Sequence, residues 1–159
     1  MKHRIVVLCA LFAGFTATAA AQAPARASGS FTIQCDSALV VYQFSSTQSV
    51  MAYQCATNAT INGVSFKGLA FSQTSQGNAT EAEDRGVFVG ALANGDQVFF
   101  QYQSTSHRTG STGTALTMSY KIVGGTGIAN GISGSGTCNG TGTVGKGNEQ
   151  TCSGTYAVR

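Results

Sequence analysis

Apolar and polar residues alternate in short stretches along most of the chain. Because successive side chains of a β-strand point to opposite faces, this period of two predicts strands with one buried face. It predicts nine strands, at residues 31–35, 38–44, 49–57, 64–71, 86–93, 96–103, 115–123, 132–138 and 151–158. No stretch has a clear helical period, although residues 79–84 could form one helical turn. The pattern therefore predicts an all-β protein.

Glycine and asparagine mark the turns between these strands. Asn94-Gly95 predicts a two-residue hairpin between the strands at 86–93 and 96–103. Later in the chain, Gly124, Gly125 and Gly127 predict a bent, bulged corner, because glycine tolerates positive φ and close backbone approach. About eight short strands form either a sandwich or a barrel. The glycine corners favour an antiparallel eight-stranded barrel, since closing a sheet requires bends and removes exposed edges.

The alternation also predicts which side chains are enclosed. The positions expected to share buried faces are Ala38, Val40, Tyr42 and Phe44; Met51, Tyr53 and Cys55; Val98, Phe100 and Tyr102; and Leu116, Met118, Tyr120 and Ile122. The opposite faces carry mainly glutamine, serine, threonine and lysine, which suit water. Four of the five tyrosines are therefore expected inside the barrel.

The N-terminus has the pattern of a secretory signal peptide. A basic start precedes an apolar run at residues 5–15, and Ala19-Ala20-Ala21 offers a cleavage site. We expect residues 1–21 to be removed near Ala21, residues 22–29 to be a flexible lead-in, and residues 30–159 to form a single barrel domain. The apolar run is shorter than the roughly 20 residues of a membrane-spanning helix, so we expect a secreted or periplasmic protein without a membrane anchor.

Four cysteines follow the predicted cleavage site, and an even number in an exported chain indicates two disulfides. Among the three connectivities, Cys35 with Cys55 and Cys138 with Cys152 are favoured, because each pair lies in neighbouring strands. A zinc site is the alternative, but no two of these cysteines have C-x-x-C spacing. We expect no metal.

Charge excludes one class of partner. Of the nine Lys and Arg residues, Lys2 and Arg4 belong to the signal peptide, which leaves seven against six acidic residues. The basic residues are scattered, whereas nucleic-acid binding needs a basic patch, so we expect no nucleic-acid partner. The only acidic cluster, Glu81, Glu83 and Asp84, lies in a loop predicted at residues 72–85. Three carboxylates do not make a calcium site, because calcium requires six to eight oxygen ligands.

Residues 123–131, VGGTGIANG, are followed by GSGT at residues 134–137. This run resembles the glycine signature of the allene oxide cyclase and dirigent superfamily, with Gly124, Gly125, Gly127 and Gly131 at its glycine positions and Ala129 where an aromatic residue is usual. The hairpin at 86–103 is also similar. The resemblance implies an eight-stranded antiparallel barrel with an apolar cavity. It also implies cyclisation, or stereochemical guidance, of reactive hydrophobic intermediates without metal or nucleotide cofactors. It assigns no catalytic residue in this chain.

Two groups of residues are candidates for chemistry. The candidate ligand-binding residues are Tyr42, Tyr53, Phe100, Tyr102, Met118 and Tyr120, whose rings and hydroxyls could orient a hydrophobic ligand. The alternative is that they only fill the barrel. His107 is a candidate general base because its imidazole titrates near neutral pH. Its polar surroundings, STSHRTGSTG, favour a solvated loop histidine instead.

Three functions remain open from the sequence. The first is a binder of a small hydrophobic ligand, the second a cofactor-free cyclase or isomerase, and the third a surface scaffold. A cavity of about 300 Å³ or more would favour the first two. A buried carboxylate or imidazole would favour an enzyme, because the predicted inner faces offer only tyrosine hydroxyls. Assembly into a homo-oligomer through outward-facing aromatic residues such as Phe99 is also open.

Overall fold

The protein is described by a computed structural model that covers residues 26–37, 40–61, 63–78 and 80–158. These residues form nine strands: β1 (Arg26–Cys35), β2 (Val40–Gln43), β3 (Ser49–Ile61), β4 (Val64–Gly77), β5 (Glu81–Leu92), β6 (Gln97–Thr109), β7 (Gly113–Gly125), β8 (Ser133–Thr143) and β9 (Gly147–Ala157). One short 3-10 helix, Gly127–Ala129, connects β7 to β8. Each predicted strand has a counterpart. The predicted signal peptide lies outside the described residues.

The strands form a closed antiparallel barrel, as the sequence predicts. From β3 to β9 each strand pairs with the next along the chain, and β1 pairs with both β9 and β3. These eight strands complete the cylinder, and β2 adds a short ninth strand along the first half of β3. The ladder between β1 and β3, which we call the seam, is the shortest in the barrel, because only Ile33, Gln34 and Cys35 have partners in β3. In contrast, β1 pairs with β9 along its whole length.

Several strands extend beyond their predicted ends. β4 continues to Gly77 and β5 begins at Glu81, so the loop predicted at 72–85 is a long hairpin. Residues 81–84 lie in β5, so they do not form the helical turn that was possible from the sequence. The connection between β4 and β5 is stabilised by the Asn78 side chain, whose Oδ1 accepts hydrogen bonds from the backbone N–H groups of Thr80 and Glu81 at 2.8 and 2.9 Å. The hairpin continues because ladder hydrogen bonds do not require apolar side chains.

The predicted lead-in at residues 22–29 also needs correction. β1 begins at Arg26, and residues 26–29 pair with residues 154–157 of β9. The side chains of this segment, RASG, show no apolar alternation. The neighbouring strand nevertheless supplies partners for their backbone groups. Residues 22–25 lie outside the described part of the chain.

The bulge predicted at the glycine corner is present. Phe99 pairs with Gly124 while Phe100 pairs with Ile122, which leaves Val123 as an extra residue in β7. An extra residue bends its strand and increases the local twist. β7 therefore bends at this point, before the chain crosses to β8.

Beyond the bulge, the corner is attached to the β5–β6 turn. Gly127 has a φ of +52°, and a Cβ there would collide with the carboxylate of Asp96. That carboxylate accepts a hydrogen bond from the backbone N–H of Ile128 at 2.9 Å. Glycine at this position therefore lets the corner approach the turn closely.

Both predicted disulfides form inside the barrel. Cys35–Cys55 joins directly opposed residues of β1 and β3, and Cys138–Cys152 does the same for β8 and β9. Two disulfides indicate an oxidising setting, such as the periplasm or the extracellular space. Within the described ranges, no helix has the length and apolar character needed to cross a membrane.

Aromatic rings fill the middle of the barrel. Phe100 lies at the centre, with its ring centroid 6.0 Å from Phe66, 5.5 Å from Phe88 and 6.0 Å from Tyr120. Tyr120 contacts Phe31 in turn, at 6.1 Å. Glycine makes room for these rings, since a Cβ at Gly90 would lie only 2.8 Å from the Phe66 ring. The outer faces are polar as predicted, with Gln54, Gln97, Gln101, Gln103, Thr117, Ser119 and Lys121 all exposed.

Candidate ligand-binding site

Two cavities in the described part of the barrel interior meet at four of the central rings. We call these rings, from Phe31, Phe66, Phe100 and Tyr120, the ring layer, because all four line both cavities. One cavity, of about 240 Å³, lies beside the open part of the β1–β3 seam and is called the seam cavity. The other, of about 90 Å³, carries several polar groups and is called the polar cavity.

The seam cavity exists because β1 and β3 separate before the end of the barrel. The backbone N–H of Thr32 donates to the Asn58 side-chain Oδ1 at 2.7 Å, where continued pairing would use a backbone carbonyl of β3. The β3–β4 register shifts between Ala56 and Thr60, which bends β3 at this point. Beyond it, residues 27–31 and 58–61 line the two sides of the opening.

The polar cavity is built from inward positions on seven strands, all those of the barrel except β8. Tyr53, Tyr102 and Met118 line it together with the ring layer. It also contains polar side chains that the predicted inner faces lacked, from Asp84, Ser104, Asn148 and Gln150. The expectation that only tyrosine hydroxyls face the interior is therefore wrong.

Burial keeps two of the phenols neutral. The pKa of Tyr53 is raised to about 12, first by burial and then by the nearby negative charge of Asp84 and by Tyr102. Burial also raises the pKa of Tyr120. The Tyr53 hydroxyl donates to the Met51 sulfur at 3.0 Å. Both hydroxyls therefore remain protonated hydrogen-bond donors to a higher pH than an ordinary tyrosine.

Gln150 is the most enclosed polar side chain of the polar cavity. Only 7% of the residue is exposed. Its Nε2 donates to Asn148 Oδ1 at 2.9 Å, which orients the amide. Its Oε1 is buried and accepts no hydrogen bond from any residue that the structure describes. A buried acceptor without a donor costs about 1–3 kcal/mol, so this atom favours any molecule that brings a donor.

Five of the six predicted ligand-binding residues meet at the polar cavity: Tyr53, Phe100, Tyr102, Met118 and Tyr120. Tyr42 does not point into the barrel as predicted. Tyr42 pairs with Val50, and directly opposed residues share a face of the sheet. Val50 points to the opposite face from its neighbour Met51 and from Tyr53, so Tyr42 lies on the outer face. It is 63% exposed, and its ring contacts only the exposed ring of Phe44 among the described aromatic residues.

The structure places His107 outside both cavities. It lies in β6 and not in the predicted loop, directly opposite Glu81 of β5. Its Nδ1 is 3.6 Å from Glu81 Oε1, and its side chain is 57% exposed. The predicted acidic cluster does not share one face of the sheet. Asp84 lines the polar cavity, whereas Glu81 and Glu83 lie on the opposite, outer face of β5. No group of metal-binding side chains occurs among the described residues.

Strand parity could have identified the residues that were missed. Ser104 continues the inward series of Phe100 and Tyr102, and Gln150 precedes the buried Cys152 by two positions. Extending the alternation through polar residues would have placed both inside. No protein-family model, curated protein or solved structure matches the chain. The functional conclusion therefore depends on the two cavities themselves.

Proposed function

We propose that the barrel binds a small, mainly apolar molecule in the seam cavity, against the ring layer. The observation that carries this proposal is a cavity of about 240 Å³ that is lined by aromatic rings and lies at an unpaired part of the seam. Phe31, Ile122 and Tyr156 are only partly buried there, so apolar surface remains for a ligand to cover. Covering it is favourable by about 25 cal/mol per Å².

Cavity size restricts the ligand. A cavity of about 150 Å³ can hold one benzene molecule, so the seam cavity has room for a single ring with a short substituent. Neither cavity alone reaches the roughly 300 Å³ that would favour ligand binding or catalysis over a scaffold by the criterion given above. The two together exceed that volume, but a ligand could use both only if the ring layer moved. The preferred ligand is therefore smaller than a drug-sized molecule.

The open seam argues against a pure scaffold. Extending the β1–β3 register would pair Phe31 with Ala59 and Gly29 with Ile61, and would remove two unpaired strand edges. A chain selected only for rigidity would gain from that closure. Similarity of the glycine corner to the allene oxide cyclase and dirigent signature supports the same class of ligand, and the predicted signal peptide supports export.

The experiment is a titration with an apolar fluorescent probe of one aromatic ring or two fused rings. Wild-type protein is expected to bind it saturably, with micromolar affinity. Gly29→Leu should abolish binding, because Gly29 lines the seam cavity and a Cβ there meets no atom within 4 Å. Ser153→Leu is the matched control, since it adds the same side chain at an exposed position of β9 outside both cavities. Absence of saturable binding to the wild type would overturn the proposal.

A second candidate function, a cofactor-free isomerase or cyclase, is favoured by Asp84. Its carboxylate lines the polar cavity close enough to Tyr53 to raise the pKa of that phenol. A carboxylate beside neutral phenols can accept a proton from carbon while the phenols stabilise a developing enolate. Catalysed deuterium exchange into a small ketone such as butanone, lost in Asp84→Asn, would support it. Equal exchange by both proteins would contradict it.

A further inference from the structure

The polar cavity contains an acceptor that nothing described in the protein uses. Gln150 is more than nine-tenths buried and lines a cavity of about 90 Å³, and its buried Oε1 accepts no hydrogen bond from the described residues. The hydrogen bond from its Nε2 to Asn148 Oδ1 holds that oxygen in place. A fixed, buried acceptor beside free volume is a site for a hydrogen-bond donor.

The other walls of this cavity select among donors. Asp84 is the one charged side chain among the described lining residues, and it is negative. The rings of Phe88, Phe100 and Tyr102 face the same space, and aromatic faces attract cations. Because the described lining contains a carboxylate and several acceptors but no lysine or arginine, it suits a cation better than an anion.

We infer that the polar cavity binds a small alkyl ammonium group, which donates to Gln150 Oε1 and places its charge between Asp84 and the aromatic rings. The volume is below the roughly 150 Å³ that holds benzene, which fits a head group with a short alkyl chain. Asp84, Leu116 and Asn148 are only partly buried, so the cavity reaches solvent at the end of the barrel where β5 begins. This site differs from the seam cavity and does not require the proposed function.

The first test compares three molecules of similar shape by NMR titration of the oxidised protein: propylammonium, 1-propanol and propionate. Propylammonium should cause saturable shifts of the backbone amides of Asp84, Ser104 and Gln150. Its Kd should be at least about tenfold lower than that of propanol, because hydrogen bonds to charged groups are the stronger ones. Equal affinity for propanol, tighter binding of propionate, or shifts that do not saturate would overturn the inference.

Variants then test the two anchoring groups. Gln150→Met keeps the length of the side chain and removes the unused acceptor, so it should fold at least as stably as wild type while the Kd for propylammonium rises about tenfold. Asp84→Asn should raise the Kd by a similar factor. Glu149→Gln is the matched control, because it removes the same charge from an exposed side chain next to Gln150 and should leave the Kd unchanged. Unchanged affinity in a folded Gln150→Met or Asp84→Asn would overturn the assigned contact.

A final titration separates the source of the ammonium group. Propylammonium is added to protein already saturated with the apolar probe. Simultaneous binding supports a free small amine, whereas competition supports the head group of a larger ligand that also occupies the seam cavity. Probe binding without ammonium preference would overturn this inference alone. Ammonium preference without probe binding would overturn the proposed function alone.

Discussion

Replacing Gly90 by alanine tests whether the ring layer is a tightly packed wall. A Cβ at this position would lie 2.8 Å from Cδ2 and 3.2 Å from Cε2 of Phe66, and no backbone atom is among its three nearest neighbours. Overpacking of this kind costs about 1–3 kcal/mol. Alanine also restricts the unfolded chain more than glycine does, which stabilises the folded protein by about 0.4–1 kcal/mol. We therefore expect Gly90→Ala to lower the free energy of unfolding by about 1–2 kcal/mol.

The assay is urea unfolding with both disulfides intact, followed by circular dichroism. Gly29→Ala is the control, because its Cβ meets nothing within 4 Å and it should be neutral or slightly stabilising. Phe66→Leu should relieve the clash, so the Gly90→Ala/Phe66→Leu protein is expected to be at least about 1 kcal/mol more stable than the two single effects predict. If Gly90→Ala behaves like Gly29→Ala, or if the two effects simply add, the ring layer is not packed as described.

Three further predictions concern pH, the disulfide at the seam and the seam itself. The pKa of Tyr53 is about 12 in the folded protein against an ordinary value of 10.0, so the unfolded chain loses this proton first as the pH rises. The contribution of Tyr53 to the free energy of unfolding should therefore be fully present below pH 10 and should be lost as the pH rises toward 12. In urea unfolding over that range, a Tyr53→Phe protein should lose less stability than the wild type. Replacing Cys35 and Cys55 by alanine should cost about 3 kcal/mol and speed hydrogen exchange in the second half of β1 more than in β8, which the other disulfide still holds. Asn58→Ala removes the acceptor of the Thr32 N–H, so it should cost about 1 kcal/mol and speed exchange of that amide, with no change at the β8–β9 ladder.

Much of the fold could be predicted because its signals are local. Alternation identifies a strand from its own residues, and the cysteine pairs lie in strands that are close along the chain. Strand length was less predictable, as β4 shows: its second half, FSQTSQG, has almost no apolar alternation, yet it is paired because β5 supplies partners.

The facing of side chains near the barrel ends depends on register, which is not local. Tyr42 alternates correctly within its own strand, but its pairing with Val50 places it on the outer face. Asp84 and Gln150 were missed for the opposite reason, because polar residues at strand ends suggest solvent until neighbouring strands enclose them. The ring layer brings together side chains from four strands, β1, β4, β6 and β7, whose relative positions also depend on register. The two cavities on either side of it could therefore not be predicted from the sequence.

The position of β1 between β3 and β9 has a consequence for biogenesis. β1 pairs along its whole length with β9, so the cylinder can close only after residues 147–157 have been released from the ribosome. Such long-range pairing is typical of proteins that fold in milliseconds to seconds. A chain that stops before Gly147 would leave both β1 and β8 with an unpaired edge, ready to join the edges of other chains.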